Sequence, residues 1–394
     1  MTERRAFAAL ISILMVITGS LNTICAKWAD SLKPPGESVN FNHPFLQATC
    51  MFFGEFLCLV AFFIIYMIKR YRWNRSKLSG EGIGSLDEKP SLPQFNPLVF
   101  LPPALCDIIA TSLMYIGLNL TTASSFQMLR GAVIIFTGLL SVGMLGYRFQ
   151  PFKWIGMFFV MMGLVVVGVT DIIYENSSTN DTNGMITGNL LIITAQIIVA
   201  IQMVYEQKFL NQYNVPALFA VGLEGLFGMM ILSVLMFPMY FIHVPNTFST
   251  NPQGRLEDVF FALKEIRECP TIAVALVGTI ISIAFFNFAG VSVTKELSAT
   301  TRMVLDSVRT LIIWVVSIPF FGETFIPLQI LGFALLILGM FIYNDILVGP
   351  FTRRHLIPRM SENNPMTSCC FHCCGLDTTE IDRQMLINED EEEV

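Results

Sequence analysis

The chain has 394 residues, of which 54% are hydrophobic and only 14% are charged. Soluble domains carry about 25% charged residues, and a soluble fold could not keep so much apolar surface from water. The composition therefore excludes a soluble protein and indicates an integral membrane protein. The formal net charge is −6, and because no basic patch interleaved with aromatic residues occurs, nothing supports nucleic-acid binding.

Segments that are apolar enough and long enough to cross a bilayer occur ten times along the chain. Membrane strands would show shorter, alternating segments, so helices are the expected form. The first segment follows Arg4 and Arg5 as in a signal peptide, but no small-residue cleavage site closes it, and we interpret it as a membrane helix. We predict an all-α polytopic membrane protein with ten transmembrane helices at residues 6–26, 45–68, 98–118, 122–145, 151–172, 186–207, 217–242, 270–292, 298–318 and 325–347.

The distribution of positive charge predicts the orientation of these helices. With the N-terminus in the cytosol, sixteen of the 24 Lys and Arg residues fall in cytosolic segments and five on the opposite side, as the positive-inside rule requires. Glycosylation sequons at Asn176 and Asn180 then lie in a lumenal loop. A third sequon, at Asn74, lies on the cytosolic side. We predict that both termini are cytosolic and that Asn176 and Asn180 carry glycans.

An internal repeat relates the two halves of the chain. A shift of 176 residues places helices four and five on helices nine and ten, and matches Pro151 with Pro327 and Gly156 with Gly332. Five helices per half is an odd number, so the halves must be inverted, as in secondary transporters. The alternative is chance agreement among the glycines and prolines of membrane helices. The predicted units are a first repeat at 6–172, a lumenal linker loop at 173–185, a second repeat at 186–347 and a disordered, acidic cytosolic tail at 348–394.

Three segments of the chain resemble a known family. Residues 123–131 (ASSFQMLRG) and 287–310, with 101–107 (LPPALCD), resemble the drug/metabolite transporter superfamily and look like its solute carrier 35 branch, which includes the nucleotide-sugar transporters. The resemblance covers about residues 10–347. It implies a fold of ten helices in a 5+5 inverted repeat and a transport function for a small polar organic solute.

Buried charged residues are the candidates for solute binding, because a charge within a span costs about 3 kcal/mol by insertion scales. Arg302, Asp306 and Arg309 are spaced four and three apart and so share one helix face. The 176-residue shift places Arg130 on Asp306, which predicts an ion pair across a cavity. Such a pair either contacts an anionic or zwitterionic solute or only locks the helices together. The full predicted set is Gln127, Arg130, Asn287, Arg302, Asp306 and Arg309.

Three further acidic residues, Glu55, Asp107 and Glu224, lie within predicted spans and have no obvious local partner. Carboxylates in this position serve proton relays in many carriers, so these three are candidates for proton coupling. The alternative is that each one accepts a hydrogen bond from a polar side chain of a neighbouring helix.

The tail contains two short signals. Cys369, Cys370, Cys373 and Cys374 follow a membrane helix closely and are candidates for S-acylation. Zinc binding is the alternative, although adjacent cysteines fit zinc-ligand spacing poorly. Asp382, Leu386 and Ile387 match the acidic dileucine pattern that endolysosomal sorting adaptors read. We predict a multi-pass protein of the lysosomal or late endosomal membrane; the Golgi, the endoplasmic reticulum and the mitochondrion are the alternatives.

Catalytic signatures are absent from the sequence. It has no Walker loop, no Gly-x-Ser-x-Gly, no His-Glu-x-x-His and only four histidines. We therefore predict that the protein is not an enzyme and that it uses no cofactor and no metal. Two function classes remain: a secondary transporter driven by exchange or proton coupling, and a transporter-fold scaffold that acts through a protein partner. The membrane lipid and a polar solute are the expected partners, and the oligomeric state is left open.

Overall fold

The structure is a computed structural model that describes most of the membrane-embedded chain. The described residues are 2–35, 40–78, 92–93, 95–121, 123–145, 151–175, 182–213, 215–244, 253–297, 301–303, 305–306, 308–309, 312–313, 316 and 327–343. The predicted sequons, sorting motif and cysteine cluster lie outside them, namely Asn176, Asn180, Asp382, Leu386, Ile387, Cys369, Cys370, Cys373 and Cys374. The same holds for the side chain of Gln127.

The described chain is helical, as its composition predicts. The helices are α1 (Thr2–Ser31), α2 (Pro44–Leu78), α3 (Leu101–Leu120), α4 (Ala123–Leu129), α5 (Val133–Leu145), α6 (Pro151–Glu175), α7 (Thr182–Gln212), α8 (Ala217–Phe241), α9 (Val259–Glu268), α10 (Pro270–Glu296) and α11 (Pro327–Tyr343). The described residues between 301 and 316 are also helical. Within the described ranges, an isolated bridge joins His243 to Arg255.

Among the described residues, seven helices are long and apolar enough to cross a membrane. They are α1, α2, α3, α6, α7, α8 and α10, and two shorter apolar helices run over Arg130–Leu145 and Ile330–Tyr343. These findings confirm a polytopic, all-helical membrane protein. The predicted count of ten remains a prediction, because much of the span 298–318 lies outside the described residues.

Several helices extend beyond the predicted spans. α1 continues to Ser31, and α2 continues to Leu78. Apolar periodicity marks only the part of a helix that contacts lipid tails, whereas the helix itself runs on into the polar interface. For the same reason α6 reaches Glu175 and α7 begins at Thr182, so both ends of the segment predicted as a linker loop, 173–185, are helical.

The fourth predicted span is interrupted. A 3₁₀ turn at Arg130–Ala132 separates α4 from α5, where the sequence suggests one continuous helix. Gly131 lies in this turn, and glycine lowers the cost of a departure from α geometry. Such interruptions inside membrane helices often mark functional sites. Here the turn begins at Arg130, one of the predicted binding residues.

Four helix pairs form the framework: α1 with α10, α2 with α8, α3 with α7, and α6 with α11. Glycines allow the backbones of these pairs to approach closely. A Cβ atom added at Gly156 would lie 2.8 Å from the carbonyl oxygen of Gly339, and one added at Gly163 would lie 2.8 Å from that of Gly332. The pair α6–α11 is therefore packed backbone to backbone.

The outer surface is apolar. Val234 and Phe237 of α8 are 72% and 73% exposed, and Leu10 of α1 is 64% exposed. A face of this kind suits lipid, which solvates apolar side chains, whereas the charged residues of the spans point inward.

Candidate solute cavity

A cavity lies at the centre of the helix bundle, and we call it the central cavity. Its volume is about 160 Å³, and it is partly open at its edge. Helices α2, α3, α7, α8 and α10 contribute to its walls, together with the turn at Arg130 and the helical residues near 302–306. The predicted site residues that line it are Glu55, Asp107, Arg130, Glu224, Asn287, Arg302 and Asp306.

Asp306 connects two arginines at one side of the central cavity. Arg130 Nη2 lies 3.6 Å from Asp306 Oδ2, so the two residues that the repeat matches do approach each other. Arg309 holds the same carboxylate more tightly, with Nη2 at 2.7 Å and Nε at 2.8 Å from Oδ1. Arg309 also donates to the backbone oxygen of Gly19 and to Thr23 Oγ1. The guanidinium of Arg309 therefore has several fixed partners, and that of Arg130 is the looser of the two.

A second ion pair joins Arg302 to Glu206. Arg302 Nη1 donates to Glu206 Oε2 at 2.7 Å, and the two side chains are 7% and 1% exposed. Arg302 Nε and Glu206 Oε1 have no hydrogen-bond partner in the described part of the chain. Gly290 lies directly against this arginine, because an added Cβ atom would be 2.9 Å from Nε. The pair is therefore deeply buried and tightly enclosed.

Three further carboxylates line the central cavity. Glu55 accepts a hydrogen bond from the amide of Asn287, and Asp107 accepts one from Thr111 at 3.4 Å. The carboxylate of Glu224 has no hydrogen bond or ion pair to the residues that the structure describes, although it is only 8% exposed. All three interact electrostatically with Glu206 and Arg302. The predicted proton-coupling residues are thus brought together in one acidic region.

A further buried cluster lies outside the membrane-spanning helices. His43 Nδ1 is 2.6 Å from Glu257 Oε1, and His43 Nε2 is 3.1 Å from Glu265 Oε2. The backbone N–H of Phe45 donates to the other oxygen of Glu257. Carboxylates accept hydrogen bonds, so this geometry needs a proton on both ring nitrogens. Burial alone would lower the pKa of His43, but the two carboxylates outweigh it and raise this pKa to about 9.

Sequence reasoning missed this histidine cluster and the partner of Arg302. His43 and Glu265 are 222 positions apart, and Arg302 and Glu206 are 96 apart. No spacing rule relates residues at such distances. The one available signal was the isolated Glu206 in an apolar span, which requires a partner without indicating which one.

Comparison with known proteins agrees with this architecture. The sequence profile of the triose-phosphate transporter family matches residues 41–344. The chain belongs to the triose-phosphate transporter family. Human solute carrier family 35 member F6 is 53% identical over 357 residues, which cover 90% of this chain and 91% of the relative. The resemblance to the solute carrier 35 branch is therefore confirmed, and the family consists of membrane solute transporters and not of enzymes.

More distant proteins match this chain at lower identity. The mouse UDP-N-acetylglucosamine transporter is 25% identical over 206 residues, which cover 51% of this chain and 59% of that transporter. A crystal structure with 13% sequence identity superposes with a TM-score of 0.52 and covers 86% of this chain and 96% of that one. That likeness shows a common fold.

Proposed function

We propose that the protein is a secondary transporter that carries a polar organic solute through the central cavity, across an intracellular membrane, by exchange or proton coupling. The observation that carries this proposal is the convergence of seven predicted charged or polar residues on one cavity of a triose-phosphate transporter family member. Buried charges cost free energy, and a scaffold protein has no evident need of them inside a cavity.

The helix pairing supports an inverted repeat around this cavity. The 176-residue shift matches α1 with α7, α2 with α8, α3 with α10 and α6 with α11. The contacting pair α1–α10 therefore corresponds to the contacting pair α7–α3. The pairs α2–α8 and α6–α11 each correspond to themselves. The glycine contacts follow the same rule, since the contact of Gly156 with Gly339 corresponds to that of Gly332 with Gly163. A pseudo-two-fold axis in the membrane plane, with the solute site beside it, is the arrangement that alternating access requires.

Two features bear on the driving force and the solute. The acidic side of the central cavity, with Glu55, Asp107 and Glu224, supplies groups for proton coupling. The looser ion pair of Arg130 supplies a donor for an anionic group. Nucleotide sugars belong in any screen of solutes, because the mouse relative is named as a UDP-N-acetylglucosamine transporter.

Uptake into liposomes that contain the purified protein tests the proposal. The screen covers nucleotide sugars, amino acids and organic cations, each with and without an imposed pH gradient and with the same solute preloaded inside. Asp306→Ala should abolish uptake of the transported solute, whereas Gly168→Ala, at a glycine with open space around it, should leave uptake unchanged. Uptake indistinguishable from protein-free liposomes for every class would favour the scaffold alternative.

A further inference from the structure

The charges around the central cavity do not balance. Five carboxylates face three guanidinium groups in the described part of the chain. The carboxylates are those of Glu55, Asp107, Glu206, Glu224 and Asp306, and the guanidinium groups are those of Arg130, Arg302 and Arg309. The region therefore has more acidic than basic side chains, which disfavours a dianionic solute and favours a positively charged group.

The excess comes from the carboxylates of Glu55, Asp107 and Glu224. Arg302 is held by Glu206 at 2.7 Å, and Arg309 is held by Asp306 at 2.7 Å. Neither guanidinium forms an ion pair with Glu55, Asp107 or Glu224 within the described residues. Glu55 and Asp107 receive hydrogen bonds only from uncharged groups, as described above. These three carboxylates form what we call the acidic pocket, the part of the central cavity whose carboxylates form no direct ion pair with the described residues.

Glu224 is the most informative member of the acidic pocket. It lines the central cavity and is 8% exposed, and no hydrogen bond or ion pair from the described residues reaches its carboxylate. An unpaired buried carboxylate costs several kcal/mol. A side chain in this position is expected to have an occupant opposite it, and the complement of a carboxylate is a hydrogen-bond donor with positive charge.

The remaining wall indicates the size and kind of that occupant. Met51, Met114, Met203, Phe52 and Phe286 line the central cavity. Methionine side chains adapt to irregular apolar ligands, and aromatic faces attract organic cations. A metal ion would instead need a shell of several oxygen ligands. The combination of apolar walls with an acidic pocket suits an organic molecule that carries an ammonium group.

Building on the proposed transport function, we propose that the solute carries a protonated amine, bound among Glu55, Asp107 and Glu224. Arg130 lines the same cavity and has no ion pair with these three carboxylates among the described residues, and its ion pair with Asp306 is long at 3.6 Å. An acidic group on the same solute can therefore face Arg130 while the amine occupies the acidic pocket. The site thus accepts amines and amino acids and disfavours nucleotide sugars.

Ligand-induced thermal stabilisation of the purified, full-length protein tests this proposal. The probes are spermidine, L-lysine and UDP-N-acetylglucosamine, which differ in charge. Spermidine or L-lysine should raise the melting temperature in a saturable manner, and UDP-N-acetylglucosamine should not. Glu224→Gln should weaken amine binding about tenfold or more, because hydrogen bonds to charged groups contribute about 1.5–3 kcal/mol.

Matched variants separate the acidic pocket from general charge effects. Glu268→Gln removes a carboxylate from a half-exposed surface site and should leave amine binding unchanged. Arg130→Gln should weaken L-lysine binding more than spermidine binding, because spermidine has no acidic group for Arg130 to face. If Glu224→Gln lowers the melting temperature without ligand, Asp107→Asn provides the second test of the acidic pocket.

Two outcomes would overturn the proposal: no stabilisation by either amine, or amine binding that Glu224→Gln and Asp107→Asn leave intact. The result can be told apart from a failure of the proposed function. Amine binding without uptake into liposomes would contradict transport and preserve the amine site. Uptake of UDP-N-acetylglucosamine alone would preserve transport and overturn the amine site.

Discussion

The guanidinium of Arg130 lies 3.6 Å from the carboxylate of Asp306, and these two residues are 176 positions apart. This interval is the shift that matches the prolines and glycines of the two halves. Equivalent positions approach each other when they lie beside a pseudo-two-fold axis. The contact is therefore made by two positions that the sequence repeat matches, and both line the central cavity. It also makes Asp306 the common partner of Arg130 and Arg309.

The shared carboxylate predicts unequal effects of two substitutions. Asp306→Ala leaves the buried guanidinium of Arg309 and the partly buried one of Arg130 without this partner and should destabilise the protein by about 3–5 kcal/mol. Arg130→Ala should cost less, about 1–2 kcal/mol, because Asp306 keeps the shorter ion pair with Arg309. Thermal unfolding of the two variants in detergent measures the difference.

A double-mutant cycle tests whether the contact itself is the cause. The double variant Arg130→Ala with Asp306→Ala should lose less stability than the sum of the single variants. The exchange Arg130→Asp with Asp306→Arg should not restore stability, because an arginine at position 306 would face Arg309. Additive single effects would mean that Arg130 and Asp306 do not interact.

The sequence predicts contacts that follow from the repeat or from helical spacing, and it does not predict contacts between other residues far apart in the chain. The proximity of Arg130 and Asp306 follows from the repeat, and the common face of Asp306 and Arg309 follows from helical spacing. The contact of Asn287 with Glu55 spans 232 positions and arises only when α2 and α10 pack together, so no local pattern reveals it. The interruption at Arg130 is equally hidden, since apolar periodicity continues across it. The roles of these residues in solute binding stay predictions.

Gly290 supports the buried pair of Arg302 and Glu206. Gly290→Ala would place a Cβ atom 2.9 Å from Arg302 Nε, and the short pair with Glu206 leaves Arg302 little room to move. We expect a loss of about 1–3 kcal/mol, the usual range for overpacking. Gly168→Ala is the matched control, because nothing lies within 4 Å of its added Cβ atom; it should be neutral or stabilising by helix propensity. Equal stability of the two variants in thermal unfolding would contradict this account.

The sequons predict the orientation of the protein. If the segment that contains Asn176 and Asn180 is lumenal, glycosidase treatment should increase the gel mobility of the wild type. The double variant Asn176→Gln with Asn180→Gln should already migrate in that position. Asn74→Gln is the control, because the charge distribution places this sequon in the cytosol. Glycosylation at Asn74 would mean that the orientation is reversed.

The tail motif predicts the location of the protein. Replacement of Leu386 and Ile387 by alanine should move the protein from late endosomes and lysosomes to the cell surface, because adaptors no longer recognise the dileucine. Met385→Ala alters a neighbouring position that the pattern leaves free, and it should not change the location. Surface biotinylation and co-staining with organelle markers measure both. Unchanged location after the double substitution would mean that the motif is accidental, and the Golgi, the endoplasmic reticulum and the mitochondrion would become the locations to test.

The histidine cluster predicts a pH dependence of stability. Its two carboxylates raise the pKa of His43 to about 9, against an ordinary value of 6.5. A raised pKa contributes stability that is fully present below the unfolded value and is lost as the pH rises through the folded value. Since one pKa unit corresponds to about 1.4 kcal/mol, the contribution is about 3 kcal/mol below pH 6.5 and disappears above pH 9.

The difference in melting temperature between wild type and His43→Gln measures this contribution, because all residues outside the cluster are the same in both proteins. The difference should be large at pH 6.5 and should shrink steadily towards pH 10. His243→Gln, at an exposed histidine, is the control for the substitution itself and should change the melting temperature little. The cluster joins the start of α2 to α9 and to the segment before it, so the loss should also expose α9 to protease at high pH. A difference for His43→Gln that stays constant from pH 6.5 to pH 10 would mean that the carboxylates do not hold a charged imidazolium.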